Sequence, residues 1–215
     1  MIQIFTGFVG SGKSYHAVRD GIETADIRGG KRWVIANFPI KPKRRRFFKK
    51  KQVSRWIYKD NDDLTVDFLV KTSIDKGWYG KESRCLLIID EAGIMFNSRD
   101  WNVKPAERKA WIKFLSQSRK FGYDVIFICQ DMRMMDRQIR SLAEYEVQHK
   151  KINNWSFFKF LPFTVFVCVS FWNGVRSIKG SVKFVIYRKK IADRYDTMGL
   201  FDYGKNDGIQ DLIKS

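Results

Sequence analysis

Four short apolar runs punctuate the first 150 residues: Ile2 to Thr6, Trp33 to Phe38, Cys85 to Ile89 and Val125 to Cys129. Their apolar residues are successive, not alternate, which is the pattern of strands covered on both faces in a parallel sheet. Between them, Ser14 to Glu23 reads as a helix stopped by Gly29-Gly30. Pro105 opens another to about Lys120, with Trp111, Phe114 and Leu115 on one apolar face and Gly122 at its end. Asp131 is placed to cap a further helix whose apolar side carries Met135, Ile139 and Leu142. Residues 52 to 82 are polar and mixed, with Trp56, Phe68 and Leu69 as packing points, and the pattern there assigns no element. The order β-α-β, long insertion, β-α-β-α predicts an α/β fold built on a doubly wound, mainly parallel sheet.

The longest stretch without charge, Phe160 to Val175, contains Pro162, Asn173 and Gly174. It falls short of the ~20 apolar residues that a spanning helix needs. It reads instead as a strand turning at Asn173-Gly174 into a second strand around Ile178 to Tyr187. The expected organisation is a core over residues 1–150, interrupted by a basic and polar insertion at 41–82, and a small β-hairpin extension with a tail over 151–215.

Composition fits a folded chain, with 44% hydrophobic and 30% charged residues, and excludes the low-hydrophobicity profile of disorder. A formal charge of +18 adds something the pattern lacks, a field that attracts polyanions such as nucleic acid or an anionic leaflet. Much of it lies in one run, Lys41-Pro42-Lys43-Arg44-Arg45-Arg46-Phe47-Phe48-Lys49-Lys50-Lys51, where eight of eleven residues are basic. With Phe47 and Phe48 in its middle, this run suits a solvated loop, a lipid headgroup surface or single-stranded nucleic acid. Cys85, Cys129 and Cys168 stand in or beside apolar runs without a CxxC pair, so they read as buried thiols in a reducing compartment. His16 and His149 have no companions at ligand spacing and read as packing or surface residues.

The chemistry concentrates in two places. Gly7-Phe8-Val9-Gly10-Ser11-Gly12-Lys13-Ser14 has the GxxxxGK[ST] spacing of a phosphate-binding loop, between a strand and a helix as that mechanism requires. Glycines allow the backbone N–H groups to turn inward around phosphates. The nucleotide-binding set is Gly7, Gly10, Ser11, Gly12, Lys13, Ser14 and Tyr15, with Lys13 reaching the β- and γ-phosphates and the Ser14 hydroxyl on Mg²⁺. Leu86-Leu87-Ile88-Ile89-Asp90-Glu91 then ejects two carboxylates at a strand's carboxyl end, where open α/β sheets bind ligands. Asp90 is the expected Mg²⁺ ligand and Glu91 the base that orients and deprotonates water. Gln130, at the end of the Val125 run, is placed to sense the γ-phosphate. These residues predict a P-loop NTPase of the branch with an acidic Asp-Glu pair, taking ATP and Mg²⁺. Arg133, Arg137 and Arg140 at i, i+4 and i+7 predict one basic helical face near the site, and Arg119 is a further candidate for an arginine supplied to a neighbouring subunit.

These motifs resemble the amino-terminal domain of zonula occludens toxin, shared with the inner-membrane assembly ATPases of filamentous bacteriophages. The likeness rests on Ile4-Phe5-Thr6-Gly7 leading into Gly10-Ser11-Gly12-Lys13-Ser14, on Ala36-Asn37-Phe38-Pro39, on Ile88-Ile89-Asp90-Glu91-Ala92, on Gly122-Tyr123-Asp124-Val125 leading to Gln130-Asp131, and on Tyr195-Asp196-Thr197. The resemblance implies a phage-encoded ATPase on the cytoplasmic face of the host inner membrane. It drives particle extrusion as coat protein replaces the single-stranded-DNA-binding protein, and works as a homo-oligomeric ring. Members usually continue into a spanning helix and an exported domain, through which an outer-membrane export channel is engaged. This chain ends at Ser215 before either, which the resemblance reads as a cytoplasmic portion. Where the family pattern has histidine before Gly122, this chain has Ser118-Arg119-Lys120-Phe121, so no histidine takes a sensing role there. Two other readings of the same scaffold are a nucleotide-switched module that binds single-stranded DNA and a small-molecule kinase.

Overall fold

The computed structural model describes residues 1–26, 32–41, 55–97, 105–152, 163–173 and 175–195. Eight strands form one sheet: β1 (Ile2–Thr6), β2 (Trp33–Ala36), β3 (Trp56–Tyr58), β4 (Cys85–Ile89), β5 (Tyr123–Ile128), β6 (Tyr145–Lys151), β7 (Val165–Trp172) and β8 (Val175–Ile186). Their order is β3-β2-β4-β5-β1-β6-β7-β8. Every pairing from β3 across to β6 is parallel, and β7 and β8 add antiparallel. The apolar runs explain this arrangement: all five residues of β4 are buried, as befits a strand with layers on both sides.

Alternate residues feed two cores. Ile4, Ile35, Leu87, Ile89, Val125 and Phe127 face one layer, where Trp111, Phe114 and Leu115 of α4 (Pro105–Ser116) pack with Leu69 and Ile139. Phe5, Val34, Leu86, Ile88, Ile126 and Ile128 face the other, against Ala17, Val18 and Ile22 of α1 (Lys13–Asp26). Helices on both faces of a parallel sheet make the doubly wound α/β architecture.

Several elements differ from expectation. The mixed stretch 52–82 holds β3 and α2 (Val66–Asp75), whose N-terminus is capped where the Thr65 side chain accepts from Phe68 N at 3.2 Å. Helix α4 stops at Ser116 instead of Lys120. There the amides of Gln117 and Ser118 bond three residues back, to Phe114 O and Leu115 O, and the turns tighten toward Gly122. Asp131 caps only a single 3-10 turn, Met132–Met134, after which Met135 is extended. A new helix α5 (Arg137–Ser141) begins at Asp136, whose carboxylate accepts from the amides of Gln138 and Ile139. The hairpin predicted at Asn173 forms as β7 and β8, and it continues the central sheet: Phe166, Cys168 and Val185 belong to the α1-side core. Between β4 and α4 lies the short helix α3 (Ala92–Met95), and after β8 comes α6 (Lys189–Ala192). No helix among the described residues is long and apolar enough to cross a membrane. The basic run from Lys43 to Lys51, the Gly29-Gly30 stop, Asp196, Thr197 and the tail lie outside the described residues.

Candidate active site

The phosphate-loop segment leaves β1 at Thr6 and enters α1 at Lys13. Gly7 N donates to Gln130 O at 3.2 Å, which ties the loop to the end of β5. Gly12 has φ +91, and a Cβ there would lie 2.6 Å from the Phe166 ring, so both its conformation and its neighbour require glycine. Phe8 and Val9 at the tip are exposed. The Lys13 ammonium donates to Gly7 O at 2.7 Å and Phe8 O at 3.1 Å, arching over the loop. Burial lowers its pKa, against the opposing pull of Asp90 and Glu91, so all three charges share one site. The first amides of α1 have no partner within the helix, the arrangement by which a helix N-terminus receives an anion. Ser11 Oγ is buried and has no hydrogen-bond partner among the described residues. Loop, ammonium, helix amides and an orphaned hydroxyl together fit a phosphate chain.

The acidic pair follows β4. Asp90 is buried, and its main chain is clamped by Asn37 at the end of β2: Asp90 N donates to Asn37 Oδ1 at 2.7 Å and Asn37 Nδ2 donates to Asp90 O at 2.8 Å. One carboxylate oxygen accepts from Glu91 N at 2.8 Å, and the other from the Tyr195 hydroxyl at 2.8 Å. Ser14 also acts on the Tyr195 phenol, which lies between the two oxygen donors expected to hold a hard cation. Burial first, then the Asp90 and Ser14 contacts, set its titration, with the net direction upward. Glu91 has a left-handed backbone, φ 50 and ψ 39, and is half-buried. Burial, then the neighbouring Asp90 charge, raises its pKa while Lys13 pulls it down. A base with a raised pKa is the stronger proton acceptor.

Gln130 lies exposed beside the loop through its main-chain contact with Gly7. The predicted arginine face does not form. Arg133 sits in the 3-10 turn and chelates Asp131 through Nε and Nη2, while Arg137 and Arg140 lie on α5 beyond the extended Met135. The cause is Asp136, which starts a helix of its own and breaks the i, i+4, i+7 continuity. Arg119 stands near the amino ends of β4 and β5, opposite the phosphate loop, and pairs with Glu82 at 2.8 Å. The two histidines, which have no companions at ligand spacing in the sequence, are both buried and meet: His16 Nδ1 lies 2.9 Å from His149 Nε2. Burial drops His16 to about 3 and His149 to about 4, which keeps both rings neutral. Asn37 and Tyr195 had no chemical signal of their own in the sequence, because each acts through a neighbour that only the fold supplies.

A glycine-rich loop between β1 and α1, strand β5 between β1 and the acid-bearing β4, and carboxylates at the sheet's carboxyl edge define a P-loop NTPase fold. The profile of the Zonular occludens toxin (Zot) family matches residues 1–199, and the chain belongs to that family. Over 157 residues it is 33% identical to the Gene 1 protein of Salmonella phage IKe, a match covering 71% of this chain and 40% of that protein. The Gene 1 protein of Enterobacteria phage M13 is 32% identical over 157 residues, covering 71% of this chain and 42% of its own. The chain therefore spans about two fifths of the length of these curated relatives. Among solved structures, the N-terminal domain of zonular occludens toxin from Neisseria meningitidis superposes with a TM-score of 0.52 at 18% identity, over 91% of this chain and 98% of that one. The AMP complex of the genome packaging NTPase B204 from Sulfolobus turreted icosahedral virus 2 gives 0.50 at 18% identity, over 85% and 95%.

Proposed function

We propose that the chain is a Mg²⁺-dependent ATPase that powers assembly and extrusion of filamentous phage at the host inner membrane. The observation that carries the catalytic part is the convergence of Lys13, Ser14, Asp90 and Glu91 at one end of the sheet, with Tyr195 bonded to Asp90 beside Ser14 and a shared field at Lys13. The phage Gene 1 relatives and the family support the biological setting.

The residues present fit both ligands. Lys13 and the loop amides receive the β- and γ-phosphates, and Ser14 and Asp90 would hold Mg²⁺, whose charge offsets that of the phosphate oxygens. Asn37 keeps Asp90 in place. Glu91 accepts the proton of the attacking water and Gln130 stands beside the γ-phosphate position. Arg137, exposed, is the group an adjoining subunit would meet in a homo-oligomeric ring, and Arg119, Arg133 and Arg140 are less suited because the first two pair with Glu82 and Asp131 and the third turns back on Met132 O. The run from Lys43 to Lys51 supports contact with an anionic membrane surface, and coat protein with single-stranded DNA is the load.

Hydrolysis should require Mg²⁺ and rise faster than linearly with protein concentration, more so with anionic liposomes, in a steady-state phosphate-release assay. Nucleotide binding without turnover under all these conditions would transfer the case to the nucleotide-switched DNA-binding module.

Tyr195 gives a sharper test of the cation site. Its hydroxyl donates to an Asp90 oxygen lone pair that a hard ion needs, so the bond and the ion compete. A hydrogen bond to a charged group contributes about 1.5–3 kcal/mol. Tyr195→Phe should therefore lower the thermal stability of the Mg²⁺-free protein and shift half-saturation by Mg²⁺ about 10-fold lower. An unchanged Mg²⁺ titration would show that the phenol and the ion do not share this oxygen.

A further inference from the structure

Beyond the nucleotide site, two imidazoles and a thiol converge in the core between α1 and the β6-β7 pair. His16 Nδ1, His149 Nε2 and Cys168 Sγ all lie within 4.8 Å of one another, and all three residues are buried. His16 Nδ1 is 2.9 Å from His149 Nε2 and 3.5 Å from Cys168 Sγ. They come from three elements: α1, β6 and β7, where His149 and Cys168 are register partners.

The outer nitrogen of each ring already faces an acceptor. His149 Nδ1 lies 2.9 Å from Val147 O, which can only accept, so the proton sits there and Nε2 carries a lone pair. His16 Nε2 lies 3.5 Å from the Asp20 carboxylate one helical turn on, which favours the proton on that side and a lone pair on Nδ1. Two lone pairs then point at each other across 2.9 Å, with a thiol sulfur beside them. Such an arrangement calls for a cation at its centre. Metal-ligating histidines typically donate their other N–H to a carboxylate or a backbone carbonyl, as His149 does to Val147 O and as His16 is placed to do toward Asp20.

We propose that His16, His149 and Cys168 form a binding site for a thiophilic transition-metal ion, with zinc as the first probe, and that Asp20 is the positioning residue behind His16. The distances suit it. In tetrahedral geometry, Zn–N of about 2.0–2.1 Å and Zn–S of about 2.3 Å put N and S about 3.5 Å apart and two nitrogens about 3.3 Å apart. The sulfur already stands at that separation from His16 Nδ1 and within 4.8 Å of the His149 nitrogen, and the rings need to part by about half an ångström. The thiol gives up its proton to solvent as the ion binds, and thiolate plus Asp20 balance a divalent charge. The site would pin α1, which carries Lys13 and Ser14, to the hairpin strand that holds Phe166 against Gly12. It does not depend on the ATPase reading.

The test is elemental analysis of the full chain, purified without a histidine tag or chelator, incubated with zinc and dialysed. About one zinc per chain is expected, or copper in its place, together with a thiolate-to-metal charge-transfer band when cobalt(II) replaces zinc. Cys168→Ser should abolish that band, Cys85→Ser should keep it, and Asp20→Asn should weaken zinc binding about 10–100-fold. Near-zero metal in folded wild-type protein, or a cobalt band that survives Cys168→Ser, would overturn the proposal. The first outcome would mean that a proton alone joins the two rings. The wild-type measurements decide even if a variant fails to fold.

Discussion

Lys13→Ala should reduce ATP turnover by at least about 10²–10³-fold, the range lost when one preorganised donor is removed from a developing negative charge. The ammonium is positioned without a ligand: Gly7 O and Phe8 O hold it over the loop. Little reorganisation is then needed when phosphate oxygens replace one of those carbonyls, and the half-buried setting strengthens the new contact relative to water. The lowered pKa of Lys13 has burial as its first cause, so the folded protein tolerates a charge it would keep more easily with an anion beside it. Nucleotide affinity should fall with turnover, because the proposed role has Lys13 meet phosphate in the ground state as well as the transition state. Circular dichroism should be unchanged, since the side chain bonds only to the loop's own carbonyls. Retention of wild-type turnover by a folded Lys13→Ala protein would remove the phosphate-loop assignment.

The parts of this fold that were legible in the sequence are those governed by short-range pattern. Cys85 to Ile89 reads as a strand because nothing but a two-sided core accommodates five apolar residues in succession. The phosphate loop is read because its spacing is itself the mechanism. What failed did so for want of local information. α2 has a mixed face, with only Leu69 and Ser73 buried, and its Thr65 cap lies in a stretch crowded with Asp and Asn that masks it. The helix predicted from Asp131 has a continuous apolar side in projection, and the sequence does not show that Asp136 turns its carboxylate onto Gln138 and Ile139 and starts again. That small competition dispersed the arginines.

The site shows the same division. Lys13, Ser14, Asp90 and Glu91 were legible because each belongs to a motif whose spacing states its chemistry. Asn37 was quoted in a motif, yet its role depends on β2 lying against β4, where an amide can bond both ways with the Asp90 peptide. Tyr195 is 105 residues from Asp90, and His149 is 133 from His16. Partnerships at that separation are made by the sheet order, which places β6 beside the phosphate-loop strand and β7 next to β6. No local spacing reports them.

Glu91→Gln should leave nucleotide binding intact and lower turnover about 10²–10⁴-fold, the usual contribution of a positioned general base. The amide keeps the size of the side chain and removes only its ability to take a proton. The pH profile offers an independent check with a definite sign. In the proposed role Glu91 acts when ionised, and burial with the adjacent Asp90 charge raises its pKa. Turnover should therefore fall, as pH is lowered, at a higher pH than an ordinary glutamate would give, and this acid limb should vanish from the residual rate of Glu91→Gln. The backbone adds a further contrast. A left-handed conformation costs a non-glycine residue about 1–2 kcal/mol, while glycine's extra unfolded-state freedom costs about 0.4–1. Glu91→Gly should consequently be inactive yet about 0.5–1 kcal/mol more stable than wild type in denaturant titration, because φ 50 no longer carries a penalty. A protein that gains stability by losing this one side chain is holding it in a strained position for its chemistry. A Glu91→Gly protein less stable than wild type would instead make Glu91 a structural cap of α3.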